Sequence, residues 1–297
     1  NAYSQRVGMS VSIVCMVNHT ALEEMSAEEI PYVVNATEAP SVPIDDVCAV
    51  GGNNTAKRLD GEFAWEKSIQ GHVLGSFFYG YLVSQIPGGM LAERFGGKRV
   101  FLLFMGLSTL GTFLTPVAAK VHVIFLIIIR VIAGIGSGAL FPCMHAIWGH
   151  WAPPMERSML VSISCAGAFF GNVLAYPISG VLCSEGFAGG WPSIFYVFGI
   201  TSTIWLVVWF IFVSDTPSTH RMISAREKSF ILRTLKGQVS HENTKDIIPW
   251  LKIVRSMPVW AIVVGNFSTD WGLYTLLTNI PTYMFEEIGR ASCRERV

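Results

Sequence analysis

Charge is what this sequence has least of. Only 14% of its 297 residues are Asp, Glu, Lys or Arg, and the 21 basic residues are balanced by 21 acidic ones. A soluble chain carries nearer a quarter. With no basic excess there is no footprint for nucleic acid, which is not among the expected partners. The six cysteines show no CxxC spacing and the histidines no paired spacing, so no metal site is expected. The segment after Asn1 lacks the basic start of a cleavable signal peptide, and none is expected.

Apolar residues fill the space, at 51% of the chain, and mean hydropathy is +0.46. The long apolar runs predict an all-α polytopic membrane protein. The most informative run is Val121 to Trp148. Arg130 sits inside it, and a guanidinium cannot shed its charge. At mid-membrane an arginine costs roughly 2.5–3.5 kcal/mol on insertion scales, so such residues face water-filled interiors, pathways or a buried partner. Arg130, Gly134, Ser137 and Gly138 recur at helical spacing and give one small, polar face. Pro142 predicts a bend just before itself. His145 lies further along the same helix.

The other spans follow in order. Val7 to Val17 is too short to cross, which reads either as a first helix entered partway, with Arg6 intramembrane, or as a true amino terminus with Arg6 in the headgroups. Residues 18–67 are polar and acidic, and carry Asn-x-Thr sequons at Asn18, Asn35 and Asn53, so a glycosylated, non-cytosolic loop is expected. Cys48 lies in it. Spans two to six fall near 71–91, 100–119, 121–148, 159–182 and 191–213. The turn between spans two and three holds Gly89, Glu93, Arg94, Gly96, Lys98 and Arg99, whose bases mark the cytoplasmic side. Span five contains Asn172 and ends at Cys183, on the same side as Cys48 by the count of crossings. A disulfide between those two is plausible in an oxidising compartment, although either could be free. Residues 214–256 form a basic cytoplasmic connector. Span seven (about 257–285) contains Asp270, an ionisable acid inside a membrane helix that is a proton or cation site, a partner for an arginine, or an interfacial acid near a wide cavity. The charged tail 286–297 has no hydrophobic continuation and reads as truncated, with its last residues foreign to the gene.

Six spans, a long basic connector and a further span are how a major facilitator chain is divided. The Gly89–Arg99 turn resembles that superfamily's loop between helices two and three, with Glu93 for the usual aspartate. Within it, GSFFYGYLVSQIPGG (75–89), FPCMHAIW (141–148), WAPPMERS (151–158), SDTPSTHRMIS (214–224) and PVWAIVVGNFS (258–268) resemble the anion:cation symporter family. That family includes sialin, the vesicular glutamate transporters and the type I sodium–phosphate cotransporters, and the pattern here resembles sialin. The resemblance implies the amino-terminal six-helix half (1–213) plus about one helix of the second half. It brings Arg6 and Arg130 as anion-binding arginines and His145 as an ion-coupling histidine. There are departures. Ala133 and Ser137 stand where sialin has glutamates, one of which serves proton coupling. Leu74 and Thr269 stand where the glutamate transporters have a histidine and an arginine.

The function this implies is secondary transport of an organic anion, an acidic sugar or other carboxylate, by alternating access with proton coupling. A sodium-dependent phosphate or organic-anion cotransporter is the alternative. Arg6, Arg130, Tyr79 and Asn172 are the expected substrate residues, with Tyr81 also considered for the cavity wall. His145 and Asp270 are the expected coupling residues, the ion being a proton or sodium and no other cofactor being needed. The partners are then a small anionic solute and the bilayer, in a lysosomal, vesicular or plasma membrane. A seven-helix receptor is disfavoured because no DRY-like or NPxxY-like pattern ends spans three or seven. An intramembrane hydrolase using Ser137 lacks a general base within reach on another helix.

Overall fold

The computed structural model describes residues 1–18, 20–22, 61–220, 222–235 and 250–284. Ten named helices account for nearly all of them: α1 (Ala2–Met16), α2 (Lys67–Phe95), α3 (Gly97–Val121), α4 (Val123–Gly138), α5 (Leu140–Trp151), α6 (Arg157–Glu185), α7 (Trp191–Phe212), α8 (Ala225–Leu235), α9 (Trp250–Val254) and α10 (Met257–Tyr283). The long fourth run is thus two helices broken at Ala139. Pro142, three residues into α5, accounts for the break, because its ring cannot pack against the preceding turn of a continuous helix. Among the described residues, four helical stretches are long and apolar enough to cross a membrane by length and composition: α3, the α4–α5 pair, α6 and α7. α2 and α10 have the length, with 29 and 27 residues, but are diluted by residues such as Ser84, Gln85, Asn266 and Asp270. Those are the helices that would border a polar interior.

α4 packs chiefly against α2 and α3, and α1 against α6 and α7. Glycines permit the closest of these approaches. A Cβ at Gly134 would run into the Phe77 carbonyl of α2, and one at Gly80 into the Val131 carbonyl of α4. Two backbones in contact at these positions draw whatever lies beside them, including Arg130, against α2. One end of the bundle is closed by Phe63, stacked on Trp65 at 4.6 Å and edge-on to Trp191 at 5.9 Å. Met9, Ile13 and Met16 of α1 extend that core inward.

Cys183 is bonded to Cys15, not to Cys48, and the two Cα atoms are 6.3 Å apart. The expected Cys48 pairing is therefore corrected: Cys15 ends α1 beside the end of α6, within reach of Cys183. Cys48 itself lies outside the described residues, as do Asn35 and Asn53. Asn18 is described, and its Oδ1 accepts a hydrogen bond from the Ala21 N–H at 2.9 Å.

At the opposite end of the bundle Asp215, just past α7, reaches under the α2–α3 turn. Its Oδ1 accepts the Lys98 N–H at 2.6 Å. α3 has no acid in its own first turn and begins with Lys98 and Arg99, so a carboxylate from elsewhere is needed to answer its positive end. Gly96 makes this possible. Its φ is +95°, and a Cβ there would meet the Asp215 carboxyl.

Candidate functional site

Arg6 and Arg130 converge from α1 and α4 on the same aromatic ring. The two guanidinium carbons lie 5.4 and 5.3 Å from the centre of Phe77, so they are at most about 11 Å apart. Both side chains are buried, at 8% and 5% exposure. Among the described residues neither pairs with a carboxylate, and Arg6 Nη2 and Arg130 Nε are buried without a hydrogen-bond partner. At that separation, with an effective dielectric near 20, two like charges repel by about 1.5 kcal/mol. An unpaired buried donor adds a further cost. An anion placed between them relieves both.

Arg6 is held by rings. Its guanidinium carbon is 4.4 Å from the centre of Phe78, 3.8 Å from Tyr274, 5.8 Å from Tyr81 and 5.9 Å from Tyr3. Faces of aromatic rings supply negative potential without supplying a counter-charge, so the cation is stabilised yet remains available to an anion. A small cavity of ≈ 40 Å³ opens beside it, lined by Tyr3, Arg6, Phe77, Tyr81, Ser137 and Phe141 among others. Behind its wall, hydrogen bonds lead away from Ser137: Ser108 Oγ lies 2.9 Å from Ser137 Oγ and donates to Gln5 Oε1 at 3.0 Å.

Of the residues expected at this site, the structure brings together the two arginines and Tyr81. Tyr79 is not with them. It is 69% exposed and lines no part of the cavity. Two residues are roughly 200° of helix rotation, whereas Phe77 and Tyr81, four apart, share a face. Asn172 is buried on α6 with its Oδ1 unpartnered among the described residues; neighbouring Gly171 accepts a hydrogen bond from Ser4 of α1 at 3.2 Å. His145 is exposed on α5, away from the cavity. Asp270 is exposed on α10, one turn before Tyr274 and within electrostatic reach of Tyr81. Of the turn residues, Gly89 packs against Pro142, Glu93, Arg94 and Arg99 are exposed, and Gly96 and Lys98 hold Asp215.

Sequence reasoning missed Gln5, Ser108, Phe77 and Tyr274. Phe77 was within reach, because it shares a helix face with Gly80, Tyr81 and Ser84, all facing α4. Tyr274 was not, because nothing in span seven distinguishes it from its other aromatics.

Comparison with known proteins follows the same lines. The chain is 44% identical over 286 residues to sialin of Ovis aries, covering 96% of this chain and 54% of that protein. It is 43% identical to sialin of Homo sapiens, over 99% of this chain and 55% of that one. Against vesicular glutamate transporter 3 of Danio rerio it is 36% identical, over 80% of this chain and 40% of the other. The chain thus spans about half the length of the curated relatives it matches. In three dimensions it resembles the xylose transporter XylE of E. coli in its inward-open conformation, with a TM-score of 0.55 and 16% identity over 95% of this chain and 62% of that one. That likeness speaks for the fold alone. The family model of the Major Facilitator Superfamily matches residues 48–291, and the chain therefore belongs to that superfamily, as a multi-pass integral membrane protein of a transporter family and not of an enzyme family.

Proposed function

We propose that this protein carries small organic anions, carboxylates such as an acidic sugar, across a lysosomal, vesicular or plasma membrane by alternating access. The observation that carries the reading is the pair of buried arginines, without a carboxylate partner among the described residues, converging on Phe77 beside a cavity. A fixed positive charge in that position attracts an oxyanion, and the arginine fork matches a planar carboxylate with two parallel hydrogen bonds. The likeness to sialin supports the same class of solute.

Proton movement is the proposed driving force, with Asp270 as the proposed coupling acid of α10 and His145 of α5 as the second proposed coupling residue. Ala133 and Ser137, adjacent to Arg130 on the helix face, cannot exchange protons. The test is uptake by the full-length gene product in proteoliposomes, offered sialic acid, glutamate, urate and phosphate under an imposed proton or sodium gradient. Proton-driven uptake of a carboxylate supports the reading. Sodium-driven phosphate uptake selects the cotransporter alternative, and unchanged ion dependence in Asp270→Asn removes Asp270 from the coupling role.

A further inference from the structure

Three polar side chains beside the cavity form a chain whose direction the orientation of the Gln5 amide sets. Ser108 Oγ on α3 donates to Gln5 Oε1 on α1 at 3.0 Å. A serine hydroxyl has one proton to give. At its 2.9 Å contact with Ser137 Oγ, Ser108 can therefore only accept, and Ser137 of α4 is the donor. All three side chains are buried, and Ser137 also lines the cavity that Arg6 and Tyr81 share. With its proton turned away, Ser137 offers that cavity only lone pairs.

We propose that Ser137 reads a hydrogen-bond donor on the solute, and that Gln5 and Ser108 are positioning residues that hold it in that role. The inference rests on the anion reading of Arg6 and Arg130, and narrows it. The arginines answer the negative group, while Ser137 requires an O–H or N–H beside it. A solute oxygen without a proton would set lone pairs against lone pairs at this point. The solute class is thus an oxyanion with a hydroxyl or amino substituent close to its charge. A volume of ≈ 40 Å³ holds about three waters, so the cavity receives one such substituent and its neighbouring atoms. Among the described residues Gln5 Nε2 is buried without a partner; the amide turns its acceptor, not its donor, to Ser108, and the direction of the chain follows from that orientation.

The experiment compares two ring acids, D-glucuronate and cyclohexanecarboxylate, in calorimetric binding to the purified full-length gene product and its variants. The wild type is expected to favour the hydroxylated acid by about tenfold, the scale of one hydrogen bond to an otherwise unpaired buried acceptor. Ser137→Ala brings the ratio of the two affinities toward one. Gln5→Leu does the same without altering any cavity atom, because Ser108 then turns its proton to Ser137 and Ser137 turns its own to the cavity. A loss of packing alone would lower both affinities and leave their ratio in place. Equal affinities in the wild type, or a ratio that neither substitution moves, overturns the proposal, and if Arg130→Gln still abolishes binding the anion site survives that failure. Binding of neither acid to the wild type, or binding indifferent to Arg130→Gln, overturns the anion site and the proposal with it.

Discussion

The Arg6 guanidinium carbon stands 3.8 Å from the centre of the Tyr274 ring, which joins α1 to the helix that follows the connector. Tyr3 and Tyr274 hydroxyls add a contact at 3.4 Å, and Tyr176 of α6 donates to the Leu277 carbonyl at 2.7 Å. In a carrier whose halves rock against each other, contacts between α10 and the helices α1–α7 belong to one state of the cycle. Under the proposed anion reading, a solute anion and the Tyr274 face compete for Arg6. Tyr274→Leu removes a partly desolvated cation–π contact of about 1–2 kcal/mol and is expected to open this seam, while Tyr274→Phe keeps it. The readout is maleimide labelling of Ala2→Cys at the cavity mouth: several-fold faster beside Tyr274→Leu, unchanged beside Tyr274→Phe. Equal rates in both would remove the contact from any gating role.

Asp215 holds the start of α3. A hydrogen bond to a charged acceptor contributes about 1.5–3 kcal/mol, and the positive helix end adds to it. Asp215→Ala is expected to lower unfolding free energy by about that amount, and Asp215→Asn, which keeps an acceptor without the charge, by less. Faster tryptic cleavage at Arg94, Lys98 or Arg99 accompanies the loss. An Asp215→Ala protein as stable as its parent, with the turn equally resistant, argues against the clasp.

The Cys15–Cys183 bond predicts a simple alkylation pattern. Under denaturing, non-reducing conditions Cys15→Ser exposes one new thiol at Cys183, and Cys183→Ser one at Cys15, whereas Cys48→Ser exposes neither. A new thiol at Cys183 in the Cys48→Ser protein would restore the pairing first expected from the count of crossings.

Much of the helical frame could be read from hydropathy, because a bilayer demands long apolar runs and forbids unsatisfied backbone between them. That Arg130 is buried inside the bundle could be read for the same reason: a permanent charge in such a run has few tolerable surroundings. The break at Ala139 was announced by Pro142. What could not be read is lateral. Tyr79 and Tyr81 are alike in sequence, and only the packing of α2 on α4 decides which one meets Arg6. Gln5, Ser108 and Ser137 lie on three helices, and no spacing along the chain links a hydroxyl on α3 to an amide on α1. Cys183 found Cys15 and not Cys48 because α1 and α6 are neighbours, which a count of membrane crossings does not reveal.

Under the proposed function, Arg6 and Arg130 together hold a negative solute against Phe77. The most direct measurement of this is uptake of radiolabelled carboxylates by proteoliposomes containing the full-length gene product or its Arg130→Gln variant, at matched protein incorporation. Removing one member of a buried charge contact costs about 2–5 kcal/mol, so uptake relative to solute concentration is expected to fall by at least about thirtyfold. Wild-type rates in Arg130→Gln, or a parent protein that carries neutral and cationic solutes as readily as carboxylates, would contradict it.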